Sequence, residues 1–139
     1  MEEKVLNRNQ AEGDGYCFGC GPNNPYGLHL DFREEGERFV TKKTLTREYQ
    51  SYGGTVHGGI VSTMLDEAMG GYLYEISGKR SVTARMDVRY RHPTPVGEEL
   101  TIAGWIDSKK GKFVKMKAEI ALPDGTITAE GTATIAVME

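Results

Sequence analysis

HGGIVSTMLDEAMGGYLYEIS, residues 57–77, decides the fold of this 139-residue chain. Its apolar residues Ile60, Val61, Met64, Leu65, Ala68, Met69, Tyr72, Leu73 and Ile76 fall as adjacent pairs repeating every four positions. That spacing predicts a helix with one broad apolar stripe, wide enough to be wrapped by a sheet. Gly70 and Gly71 lie in its interior, where each costs about 1 kcal/mol relative to Ala. Close approach by another backbone would explain tolerating them. Gly53, Gly54, Gly58 and Gly59 precede or open the helix, so its mouth carries little side-chain bulk. Free N–H groups are expected there, at the positive end of the helix dipole. Asp66 follows Leu65 on the flank of the stripe. Bare amides plus a carboxylate beside an apolar face suit polarising a carbonyl and directing water, or the carboxylate itself, at it.

Outward from the helix, both flanks read as strands. Leu28, Leu30 and Phe32 alternate with polar residues, Glu35-Gly36 turns, and residues 39–45 continue as a second strand. Tyr49 and Tyr52, in the lead-in REYQSYGG, either line a pocket mouth or pack the loop. Ser77-Gly78-Lys79 supplies a Gly C-cap. Residues 81–92 form a long strand, with Val82, Ala84, Met86, Val88 and Tyr90 on one face. Thr83, Arg85, Asp87, Arg89 and Arg91 occupy the other. HPTPVG stops it. Strands over 99–107, 113–122 and 126–138 follow, separated by a lysine-rich turn at 109–112 and the tight Pro123-Asp124-Gly125 turn. One long helix and about six antiparallel strands place the chain in the α+β class, with a meander as the simplest topology.

The length fits one domain. A weakly structured segment over 1–16 and a single domain over 17–139 are expected. No apolar run reaches the roughly 18 residues of a membrane span. The charged opening MEEKVLNRNQ does not read as a secretory signal. The two cysteines, paired as Cys17-x-x-Cys20, point to a reducing, cytoplasmic setting. They have the spacing of half a zinc knuckle, with no second half in the chain and only His29 nearby as a further ligand. The reading is a metal-free turn with small thiols. An all-cysteine site shared between two subunits is the alternative, and a redox role is weaker for want of a βαβ context. His29 and His92 read as structural.

The net charge of −3 is unevenly spread. Residues 1–78 carry −5, residues 79–117 carry +6 and residues 118–139 carry −4. A nucleic-acid binder is basic throughout its domain, so that class is excluded. The local basic block fits a small phosphorylated ligand, or is simply a solvated strand face.

An antiparallel sheet curled around one long central helix is the hotdog architecture. The segment HGGIVSTMLDEAMGG resembles the motif of PaaI-like (phenylacetate-pathway type) hotdog acyl-CoA thioesterases: His-Gly-Gly with an Asp nine positions after the His. TARMDVRYRHPTPVG and CFGCGPNNPYGLHL are similar to other segments of that group, and the likeness covers residues 17–138. The resemblance implies hydrolysis of an acyl-CoA, or a similar pantetheine thioester, to acid and thiol, with no cofactor and no metal. It implies that the Gly58 amide polarises the carbonyl and that His57 supports the oxyanion site. Asp66 would be nucleophile or general base, and Thr83 would position water. Where many relatives carry an Asn this chain has Ser51, flanked by Gln50, which could replace the amide, and by Tyr52, which could face the acyl group. Gly59, Arg85, Arg89 and Arg91 complete the expected substrate contacts, the arginines toward CoA phosphates.

Gly58 and Asp66 are eight residues apart, or about 12 Å along a helix. One chain can hardly aim both at one carbonyl carbon, which needs contacts near ~3 Å. The expected site therefore joins Gly58 of one subunit to Asp66 and Thr83 of another, in a two-fold homodimer that could pair again into a tetramer. Two other readings remain: a non-catalytic acyl-CoA-binding protein, and a hotdog hydratase or dehydratase. No nucleic-acid or membrane partner is expected.

Overall fold

A computed structural model of the chain describes residues 14–138. Most of the segment expected to be weakly structured, residues 1–13, lies outside the described residues. The strands are β1 (Arg33–Glu35), β2 (Arg38–Thr44), β3 (Ser81–Tyr90), β4 (Glu99–Lys110), β5 (Phe113–Ala121) and β6 (Ile127–Val137). The single long helix, α1, spans Gly58–Ser77, preceded by a 3₁₀ turn at Arg47–Tyr49.

The helix begins and ends as its sequence dictates. His57 is the N-cap, its ring accepting from the Gly59 N–H. Gly78 closes the other end in the left-handed region at φ 70°, where a Cβ would be strained. The apolar stripe is buried: Met64, Leu65, Ala68 and Met69 are all 0% exposed. Burying each large side chain contributes about 1.5–3 kcal/mol. They pack on Leu100, Ile102, Met116, Ile120 and Ile135 of the sheet. Phe32, Phe39 and Tyr72 stack in sequence, with centroids 4.8 and 5.2 Å apart, pinning the start of the sheet to the helix. The helix also buries Tyr74 and Glu67 beside the stripe.

All six strands pair antiparallel in the order β1-β2-β4-β5-β6-β3. Sequential antiparallel pairing holds for β1 with β2 and for β4, β5 and β6, but not for β3. β3 pairs with β6 at the far edge, so α1 carries the chain across the width of the sheet before β3 begins. The helix packs against β2 through β6.

Three local expectations are corrected. Leu28 and Leu30 are buried, as alternation predicts, but residues 28–32 pair with no strand. His29 takes φ 54°, which breaks an extended run. The close approach expected at Gly70 is absent within the chain: a Cβ there would meet nothing within 4 Å. It occurs at Gly104 of β4, where a Cβ would collide with the Ala68 carbonyl of α1. Finally, β3 does not keep period two. A bulge between Thr83 and Arg85 inserts one extra residue. Thr83 therefore faces the helix, as Met86 and Val88 do, whereas Val82 is turned outward and 54% exposed.

Candidate active site

The entry to α1 is held on both sides. Val56 N–H donates to Thr94 O (2.7 Å), His57 N–H to Tyr49 O (2.9 Å) and Val96 N–H to Gly54 O (3.0 Å). Gln50 bridges backbone with Val56, and its Oε1 accepts from Gly54 N–H at 3.0 Å. Of the first four amides of the helix, Ile60 and Val61 donate to His57 O (2.9 and 3.0 Å). Gly59 donates to His57 Nδ1 (2.9 Å). Among the described residues, Gly58 N–H meets no acceptor. The open mouth expected from the glycines thus narrows to one donor at the positive end of the dipole, and His57 is the residue that occupies its neighbour.

Gly58, Ser62 and Asp66 recur every fourth position and share the helix face toward β3. The Tyr90 hydroxyl, at the end of β3, donates to Gly58 O (3.0 Å) and lies 2.8 Å from Ser62 Oγ. Thr83, near the start of β3, donates its hydroxyl to Asp66 Oδ1 at 3.0 Å. The bulge makes this bond possible: in strict alternation Thr83 would point away from the helix with Arg85. Tyr90 had no functional reading in the sequence. The available signal was a phenol among inward-facing residues at a strand end, a position that asks for a polar partner.

The other expected contacts are dispersed. Tyr52 is 86% exposed. Ser51 Oγ bonds Thr55 O at 3.4 Å within its own loop. Arg85 pairs with Asp87 (3.4 Å) and Arg91 with Glu130 (3.1 Å), all on the outer surface, where Arg89 also lies. A shallow cleft of about 490 Å³ is lined by Glu37, Arg38, Tyr72, Trp105, Ile106 and Glu119. It contains none of the candidate residues. His29, as expected, is bound locally: its Nε2 lies 2.7 Å from Asn24 O.

Glu67, the neighbour of Asp66, is only 9% exposed. The Cys17–Cys20 loop lies over it, and Cys17 Sγ is 3.8 Å from its Oε2. Among the described residues, Cys17, Cys20 and Glu67 could hold a metal, with ligand atoms all within 4.8 Å of one another.

Comparison with known proteins bears on the family and the fold. The model of the thioesterase superfamily matches residues 53–129, from the glycines before α1 into β6. Acyl-coenzyme A thioesterase THEM4 of Bos taurus is 23% identical over 134 residues, covering 95% of this chain and 53% of that protein. The chain therefore spans about half the length of the curated relative it matches. The solved thioesterase superfamily protein RHA08564 is 27% identical, with TM-score 0.82 over 98% of this chain and 68% of its own. A hypothetical thioesterase protein of Streptococcus pneumoniae TIGR4 solved with coenzyme A (21%, TM-score 0.72, 78% of this chain and 85% of that one) shares the fold. So does E. coli PaaI (19%, TM-score 0.71, 78% and 83%). One helix laid across a six-stranded antiparallel sheet, together with a family match over more than half its length, establishes that this chain belongs to the thioesterase superfamily and has the hotdog fold.

Proposed function

We propose that the protein is an acyl-CoA thioesterase whose two active sites each combine residues of two subunits. The observation that carries this reading is the Thr83–Asp66 hydrogen bond of 3.0 Å beside the outermost strand. An acid held by a hydroxyl on the inner face of a sheet edge is placed to act on a substrate entering from that edge.

The pairing follows from β3. Asp66 is attached at one end of this strand through Thr83, and Gly58 at the other through Tyr90. Those ends are seven residues apart, or about 23 Å. β3 is also an edge strand, carrying exposed Val82 (54%) and Tyr90 (55%). Such an edge is a template for antiparallel pairing with a second copy. A two-fold axis near Met86 and Asp87 would bring the Asp66 end of one strand against the Gly58 end of its partner. The separation of about 12 Å between Gly58 and Asp66 within one chain is then no obstacle.

In the mechanism, Gly58 N–H of one subunit donates to the developing oxyanion of the thioester, helped by the helix dipole. A single donor of this kind is worth about 2.7–4 kcal/mol. His57, by holding the Gly59 amide, keeps the turn in the shape that aims Gly58. Asp66 of the other subunit either attacks the carbonyl carbon, expelling the thiolate and forming a mixed anhydride that water then hydrolyses, or takes a proton from a water that Thr83 helps to place as that water attacks the carbonyl carbon and the thiolate leaves. The basic block over residues 79–117 would meet the nucleotide phosphates at the rim, Arg89, Arg85 and Arg91 among them. Gln50 and Tyr52, in the loop before the partner's helix, are close enough in sequence to Gly58 to border the acyl group. The name of the bovine relative and the coenzyme A in the pneumococcal structure support an acyl-CoA as the substrate. The reading places the protein in a reducing cytoplasm, without a cofactor.

The test is thiol release from a panel of acyl-CoAs by the wild type and by Asp66→Asn. Turnover that falls by about 10²–10⁴ in the variant supports Asp66 as base or nucleophile. Binding without turnover by the wild type would make the protein an acyl-CoA sensor, and unchanged turnover in Asp66→Asn would remove Asp66 from the chemistry.

A further inference from the structure

We propose that Cys17, Cys20 and Glu67 form a zinc site that ties the loop before β1 to the middle of α1. Nothing in the hydrolytic mechanism uses these three residues. They come from positions fifty apart in sequence, yet their ligand atoms lie within 4.8 Å of one another. Cys17 Sγ and Glu67 Oε2 are 3.8 Å apart.

Tetrahedral zinc, with Zn–S near 2.3 Å and Zn–O near 2.0–2.2 Å, sets its ligands roughly 3.5–3.8 Å from one another. The Cys17–Glu67 separation of 3.8 Å matches that spacing already, and the remaining pairs need to close by about 1 Å at most. Two thiolates and a carboxylate form a donor set that selects zinc over the hard cations. The fourth position stays open to water, giving three protein ligands in place of the missing half of a knuckle.

The scaffold around the ligands is built for the approach. Gly19, between the two cysteines, lies directly on Glu67: a Cβ there would collide with Cγ and Cδ of the glutamate and sit 2.7 Å from Oε2. Gly21 N–H closes the turn on Cys17 O at 2.7 Å, and a Cβ at Gly21 would strike the Cys17 backbone. Leu28 N–H donates to Phe18 O (2.8 Å) and Leu30 N–H to Gly19 O (2.9 Å), fixing the loop to the segment that leads into β1. Glu67 is set by a rigid helix, at 9% exposure. Three groups that would each be anionic when deprotonated are thus held together in a partly dry place, where a divalent cation offsets their mutual repulsion.

The experiment uses the untagged full chain, reduced and freed of metal, titrated with Co²⁺ and then Zn²⁺. One ion per chain is expected, with thiolate-to-cobalt charge-transfer absorption and tetrahedral d–d bands that zinc abolishes. Zinc should raise the Tm of the wild type. Glu67→Gln, which keeps both thiols and the side-chain shape, should bind zinc at least about 10-fold more weakly. Cys20→Ser should lose the cobalt absorption. The proposal is overturned if the reduced wild type takes up no cobalt or zinc. It is overturned equally if Glu67→Gln binds as the wild type does, if half an ion per chain binds through four thiolates, or if the thiols pair into a Cys17–Cys20 disulfide that zinc does not prevent.

Discussion

Co-expression of two inactive variants separates a site shared between subunits from a site within one chain. The first variant is Gly58→Pro. Gly58 is the first residue of α1, where proline is tolerated because its missing N–H has no helical partner. The preceding residue, His57, already has φ −57° and ψ 137°, the conformation that a following proline requires. A Cβ at Gly58 would come no nearer than 3.5 Å to the Tyr90 hydroxyl, an ordinary contact. The substitution therefore removes the oxyanion donor with little strain and should lower kcat by about 10²–10³. The second variant is Asp66→Asn, whose amide oxygen can still accept from Thr83. In a mixed dimer of the two, one site collects both lesions and the other receives the intact Gly58 and the intact Asp66. Random assortment makes half the dimers mixed, so the mixture should show about a quarter of wild-type activity. Each parent alone should show about 1% or less. With two affinity tags the mixed dimer can be isolated and its thiol release measured directly, at about half the wild-type rate per dimer. Activity of the mixture no higher than that of the parents would refute the shared site, since a site confined to one chain carries a lesion in every combination.

Four further outcomes follow from particular contacts. Thr83→Val keeps the shape but removes the hydroxyl from Asp66; kcat should fall by roughly 10-fold or more, and urea unfolding should show a loss of about 1.5–3 kcal/mol, the worth of one hydrogen bond to a charged group. Gly104→Ala forces a methyl against the Ala68 carbonyl, and equilibrium unfolding should show a loss of about 1–3 kcal/mol. Gly70→Ala meets nothing within the chain, so it should stabilise by about 1 kcal/mol in thermal melts; a loss would mean that a second copy packs there. Burial, the hydrogen bond to Glu34 (3.1 Å) and the nearby carboxylates raise the pKa of Tyr72 above 10.0. The folded state then holds this proton more tightly than the unfolded state, so the stabilisation is complete below pH ~10 and declines as pH rises above it. Tyr72→Phe should flatten that alkaline decline in a stability–pH profile and cost about 1 kcal/mol at neutral pH.

Local chemistry was legible in the sequence by itself. Paired apolar residues every four positions set the helix and its buried face, Gly78 set its end, and Pro123-Asp124-Gly125 set a turn with Gly125 at φ 91°. These features depend on residues a few positions apart, so spacing and side-chain type suffice to read them. The position of β3 at the sheet edge, the bulge that turns Thr83 toward Asp66, and the burial of Glu67 under a loop fifty residues away were decided only in three dimensions. Alternation in residues 81–92 fits two faces equally well with or without an inserted residue. The choice between them rests on which face the helix covers, and that is a property of the packed molecule. His57 shows the same division: the motif marked it, but only the folded turn spends its ring on the Gly59 amide and leaves Gly58 as the single unoccupied donor among the described amides of the helix mouth.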